Sequence, residues 1–203
     1  MSDAVDAWQY LLVLGSCLIV TLPLEVIGAH VASERSKTTG RRHDLSLRLA
    51  IALFGHQGIE WDISLTSSEE RRSLAEWISL AKSLRPLLHG GELVRMERPG
   101  DPGTAVFGLV AQDRSEALFA LVRSHAGPQT ETLPVRLGGL DPKSCYLVKR
   151  LSLPGEISPE MVDIQSGARA TEGAVRGSIL MIAGIPAPAM SPESAVLFHL
   201  QIR

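Results

Sequence analysis

The stretch LSLRLAIALFGHQGIEWD, Leu45 to Asp62, changes its period half-way along. Leu45, Leu49 and Leu53, with Ala50 and Phe54, recur at helical spacing, and Asp44 stands where an N-cap belongs. Gly55 and Gly58 then break the helix ahead of a short apolar segment, Ile59 to Ile63. The order is helix, glycine turn, buried strand. Such a unit is what a (β/α)₈ barrel repeats, with its chemistry at the carboxyl ends of the strands.

Downstream the next helix is plain. Ser67 and Glu70 have the spacing of a capping box, and Leu74, Trp77, Ile78, Ala81, Leu84 and Leu88 form one apolar stripe. Glu69 and Glu70 suit the positive end of the helix dipole, and Lys82 and Arg85 the negative end. Pro86 limits this helix and Gly90-Gly91 ends it. Trp77, on the stripe, is a core residue. The period then becomes alternating, which divides the chain into residues 1–90 and 91–203. Leu93 to Arg98, Ala105 to Gln112, Glu116 to Ser124, Thr132 to Leu137 and Cys145 to Leu153 read as strands between turn clusters such as Pro99 to Gly103. Ser178 to Ala183 and Ala195 to Ile202 close the set around a proline-rich link, Pro186 to Pro192, and Pro154 to Gly177 is irregular. The fold class expected is α/β plus β: the terminal part of a (β/α)₈ TIM barrel followed by an antiparallel β-sandwich domain.

Composition limits the function classes. The chain has 203 residues, 45% of them hydrophobic, and a net charge of −2, which provides no field for gathering nucleic acid. Four Phe, three Trp and two Tyr leave few stacking platforms for bases, so nucleic acid is excluded as a partner. Cys17 and Cys145 have neither disulfide density nor metal-knuckle spacing, which fits a reducing, cytoplasmic location. Six histidines without zinc-site spacing and no phosphate-cradling glycine loop indicate no metal and no cofactor. His56 and His89, beside glycines, read as turn residues, and His199 as a last-strand residue with solvent or one local hydrogen bond. Ala7 to Leu24 is eighteen residues without a charge. It reads as a buried barrel segment, with a membrane element as the alternative, because the only charges before it are acidic and Pro23 and Glu25 interrupt it.

The words LPLEVIGAHV (22–31), TTGRRHDLSLR (38–48), ALFGHQGIEWDISL (52–65), SLRPLLHGGELVRM (83–96), LGGLDP (137–142) and SILMIAGIPAPAMSPESAV (178–196) occur in this order. In words and order they resemble the carboxy-terminal part of the α-galactosidases of glycoside hydrolase family 36. The resemblance implies retaining hydrolysis of terminal α-galactosyl residues from oligosaccharides such as melibiose or raffinose. Ser2-Asp3-Ala4-Val5-Asp6-Ala7 is similar to the family motif Ser-Asp-x-x-Asp-Ala, which puts the acid/base role on Asp3. The family tryptophan ahead of that motif and the arginine behind it have no counterpart. Gly28 to Arg42 reads as an active-site-side loop, with Gly28 permitting close backbone approach and a positive face from Arg35, Lys37, Arg41 and Arg42, on which His30 or Arg41 orders the loop near a sugar site. A solvated basic loop is the other reading.

A retaining glycosidase needs two carboxylates about 5–5.5 Å apart. In this family the nucleophile lies in a Lys-Trp-Asp signature, and that signature does not occur in these residues. Asp44, Glu60 and Asp62 are available carboxylates with no sequence reason to be promoted. The expectation is a truncated chain, inactive by itself, whose exposed strand edges leave room for a homo-oligomer. The alternatives are a non-enzymatic β-module tethered to a membrane through Ala7 to Leu24, and a gene remnant without a present role.

Overall fold

The computed structural model describes residues 27–36, 39–96, 103–124, 133–153 and 174–203. Asp3, Lys37, Ala7 to Leu24 and most of Pro154 to Gly177 lie outside them. The chain divides into two compact units, with the sequence passing from the first to the second at His89 and Gly90 and returning briefly to the first at Leu153 and at Glu193–Ala195.

The first unit opens with β1 (Gly28–Ala32), α1 (Leu45–Ala52) and β2 (His56–Glu60), the two strands pairing in parallel from Gly28↔His56 to Ala32↔Glu60. Parallel neighbours need a crossover, and α1 supplies it, packing against both strands. Every residue of α1 from Leu47 to Ala52 is buried, including Arg48. Asp44 takes the N-cap position of α1, but its side chain makes no capping hydrogen bond. β2 begins at His56, so Gly58 lies inside the strand rather than in a turn, and Ile63 opens a 3₁₀ turn, Ile63–Leu65, instead of ending the strand. His56 is therefore a strand residue. A glycine interrupts a sequence pattern equally well as a turn or as a point of close approach, and here it is the second.

After the 3₁₀ turn, α2 (Ser68–Ser83) starts from the expected capping box: Ser67 Oγ accepts from Glu70 N at 3.1 Å and Glu70 Oε2 accepts from Ser67 N at 2.8 Å. Leu74, Trp77, Ala81, Leu84 and Leu88 are buried along the expected stripe, while Ile78 is half-buried. Trp77 is core, as its spacing implied, and its indole N–H donates to Leu49 O at 2.9 Å, which ties α2 to α1. Leu84 caps α2, and α3 (Arg85–Gly90) restarts with Pro86 near its first turn, where a missing N–H costs nothing.

The second unit is one six-stranded antiparallel sheet, β3 (Glu92–Met96), β4 (Thr104–Val110), β5 (Glu116–Arg123), β6 (Cys145–Leu151), β7 (Val175–Arg176) and β8 (Ser194–Ile202), in the order β3-β4-β5-β8-β6-β7. Both faces of β4, β5 and β8 are buried, Phe107, Leu109, Leu118, Val122 and Leu197 on one and the cluster around Phe119 on the other. Val106, Phe119, Leu121, Tyr146, Phe198 and Leu200 meet Val135, Leu137 and Leu140 from the segment after β5 and Leu180 from α4 (Gly177–Ile182). The described part of the expected strand Thr132 to Leu137, from Leu133 on, is not a strand and makes the isolated bridge Val135↔Ile185. Ser178 to Ala183 is helical, not extended. Leu180 is buried there while Ile179 and Ile182 are exposed, and periodicity cannot assign so short an apolar run. Gly108 is where two strands demand the smallest residue, because a Cβ would lie 2.4 Å from the Phe119 ring. His199 makes one hydrogen bond, across the strands to Glu116 at 2.6 Å.

Turns are fixed by carboxylates. Asp62, Asp113 and Asp141 each accept from a serine two or three residues on, and this bonding holds all three below the usual carboxylate range, the serine hydroxyl being the larger cause. Glu70 is lowered chiefly by the Ser67 N–H. A carboxyl with a lower pKa folded than unfolded contributes stability above the unfolded value, and the contribution disappears as pH falls through the folded one. The urea midpoint is therefore expected to fall between pH 5 and pH 3. In Asp113→Asn/Asp141→Asn, which keeps an acceptor but cannot titrate, the fall should be smaller. An unchanged pH slope in that variant would contradict the assignment.

Candidate functional site

In parallel strands alternate residues share a face. Ala29 and Val31 are buried on one side of β1, while Gly28 and His30 are exposed on the other, where His56, Gly58 and Glu60 of β2 accompany them by register. The second face carries His30, His56 and Glu60 among Gly28, Gly58 and the buried Ala32, unlike the apolar run typical of a parallel strand. In a (β/α)₈ barrel the face turned away from the helices is the interior one.

On that face His30 Nδ1 lies 3.2 Å from Glu60 Oε2, with side-chain exposures of 38% and 30%. The ring lies across glycines. A Cβ at Gly58 would stand 2.6 Å from His30 Cδ2, and one at Gly28 would stand 3.5 Å from Nε2. Glu60 is the last residue of β2, at the carboxyl end where barrel enzymes place their chemistry.

Beyond the carboxyl end of β1 the chain makes a tight loop. Ser36 N donates to Arg41 O at 2.8 Å, Gly40 N to Ser36 O at 3.0 Å, and Arg35 bridges Arg42, with Gly40 at φ 72°. Arg41 is exposed on this loop and Arg42 pairs with Glu34 at 3.5 Å. His30 and Arg41 are thus placed on a strand face and on the loop that follows. Among the described residues no hydrogen bond or ion pair joins them.

Arg48 reaches both ends of that loop from α1. Its Nε donates to His43 O at 3.0 Å, its Nη1 donates to Ala32 O, and its guanidinium lies 4.9 Å from the centre of the Trp61 ring. Burial lowers its pKa below the ordinary arginine value, and Glu70, Glu34 and Asp44 oppose that. Asp62 is committed to its own turn, accepting from Ser64 N at 3.0 Å and Ser64 Oγ at 2.6 Å. Of the three carboxylates the sequence offered, Glu60 alone stands on the polar face with a histidine. Its signal was His56-x-Gly58-x-Glu60, polar or small at every second position of a parallel strand. Among the described residues no group of three or more His, Cys, Asp or Glu could hold a metal ion, and no helix is long and apolar enough to cross a membrane.

Two family models match the chain one behind the other, Melibiase over residues 1–91 and Glycosyl hydrolase family 36 C-terminal domain over residues 104–200. The chain belongs to glycoside hydrolase family 36. An α-galactosidase of Escherichia coli is 33% identical over 186 residues, which is 88% of this chain and 26% of the relative. α-Galactosidase AgaA of Geobacillus stearothermophilus is 31% identical over 155 residues, 76% of this chain and 21% of the relative. A solved structure of an AgaA variant in complex with raffinose superposes with a TM-score of 0.81 at 26% identity, covering 100% of this chain and 25% of that one. The family 36 chain therefore spans about a quarter of the length of these relatives. Its fold class is the one the sequence implied, the end of a (β/α)₈ barrel followed by an antiparallel β domain.

Proposed function

We propose that these residues form the last part of a retaining α-galactosidase, acting on terminal α-galactosides of the raffinose and melibiose type. The observation that carries this is the succession of the two family matches, barrel then C-terminal domain, over nearly the whole chain. Neighbouring structures in complex with raffinose and with stachyose support the substrate class. Asp3 protonates the leaving glycosidic oxygen and then takes a proton from the water that releases galactose. The nucleophilic carboxylate comes from barrel sequence other than these residues. His30 and Arg41 border the sugar, His30 from the interior face of β1 and Arg41 from the loop after it. Residues 1–90 would be barrel and 91–203 the β domain. A cytoplasmic location is supported by the exposed free thiol of Cys145.

The test is an in-frame fusion of the chain behind the first three quarters of the E. coli relative. It should hydrolyse melibiose, and Asp3→Asn should lower kcat by about 10²–10⁴-fold. An active fusion indifferent to Asp3→Asn would remove Asp3 from the mechanism. A folded fusion without turnover would remove the function.

A further inference from the structure

Sugar hydroxyls donate hydrogen bonds readily to a fixed acceptor, but a neutral imidazole has one acceptor nitrogen, and which one it is depends on what the other nitrogen does. In free solution the proton of neutral histidine favours Nε2, which would leave Nδ1 as the acceptor. At His30 the neighbours reverse that choice. Nδ1 is 3.2 Å from a Glu60 oxygen, and an ionised carboxylate can only accept, so Nδ1 carries the proton. The ring packs against Gly58, where even a methyl group would stand 2.6 Å from Cδ2. Nε2 is then the acceptor, on the exposed interior face of β1 and β2.

We propose that Glu60 is a positioning residue which fixes the tautomer of His30, so that Nε2 accepts a hydrogen bond from a hydroxyl of the bound galactoside. This rests on the α-galactosidase reading and adds Glu60 to it. The role requires the carboxylate at the end of β2, the imidazole of His30 two register positions earlier, and its register partner Gly58, whose missing side chain leaves room for the ring; all are present on one face.

Two measurements test it. In the 203-residue polypeptide, labelled with ¹⁵N-histidine at pH 8, long-range ¹H–¹⁵N correlation should show His30 as the Nδ1–H tautomer. Glu60→Ala should return it to Nε2–H, and Glu60→Gln, which keeps an acceptor, should retain Nδ1–H. An Nε2–H tautomer in the unsubstituted chain overturns the proposal. In the fusion, Glu60→Ala and His30→Ala should each raise KM for melibiose by about tenfold, the value of one lost hydrogen bond, while Glu60→Gln stays near the parent. An active fusion whose KM ignores Glu60→Ala overturns the proposal while the function stands. A folded but inactive fusion overturns the function, and the role of Glu60 falls with it.

Discussion

The 203-residue polypeptide, purified alone from a host without α-galactosidase, is expected to leave p-nitrophenyl α-galactoside unhydrolysed, with product appearing at the buffer rate. A working glycosidase exceeds that rate by about 10⁶-fold or more, so the contrast is the largest one available. The reason is stoichiometric. Double displacement needs one carboxylate to bond to the anomeric carbon and a second to move the proton, about 5–5.5 Å apart. The resemblance assigns these residues one of the two, Asp3, and the Lys-Trp-Asp signature of the other does not occur among them. The carboxylates at the carboxyl end of β2 do not substitute for it: Asp62 is held by Ser64, and Glu60 by His30. A nitrophenolate leaving group needs little protonation, so a chain short only of its acid would still show a slow rate. A chain short of its nucleophile would not. Turnover by pure material that disappears on Glu60→Gln would mean that Glu60 is the attacking group and that the division of roles above is wrong.

Local features were legible in the sequence and long-range ones were not. The capping box at Ser67 and Glu70 is written within four consecutive positions, and the stripe from Leu74 to Leu88 repeats over several turns, so both could be read without knowing what they pack against. Ser178 to Ala183 has six residues, fewer than two helical turns; what makes it helical is Leu180 entering the core beneath Leu137, whose N–H donates to the Leu180 carbonyl at 3.0 Å. Glu60 and His30 are thirty residues apart, and only parallel register makes them neighbours. A carboxylate acquires a role from its partner, and the partner could not be named from one strand. Arg48 shows the same limit differently. LSLRLAIA offers its single charge no polar face, which is a sign of a buried cation, but the two carbonyls that accept from it belong to β1 and to the loop end.

Those carbonyls make Arg48 the residue whose loss should damage the first unit most. Arg48 is 6% exposed, and its guanidinium joins Ala32 O, at the end of β1, to His43 O, at the start of α1, with Trp61 against its face. Arg48→Ala leaves both carbonyls without this donor in a region where Ala32 and His43 are themselves 8% and 5% exposed. A hydrogen bond from a charged donor contributes roughly 1.5–3 kcal/mol and a cation over an indole about 0.5–1 kcal/mol, so with two such bonds a loss of about 3.5–7 kcal/mol is expected. Arg48→Lys should recover only part of it, because an ammonium cannot fork between two carbonyls and lie flat on an indole. Urea unfolding followed by tryptophan fluorescence reads the cost. Arg48→Lys matching the parent would mean that charge alone, not the fork, holds the loop. The same bonds carry a functional consequence. Ala32 and His43 are the two ends of the loop that presents Arg41, so in the fusion Arg48→Lys should raise KM for melibiose more than it lowers kcat, an effect of a displaced binding loop rather than of altered chemistry.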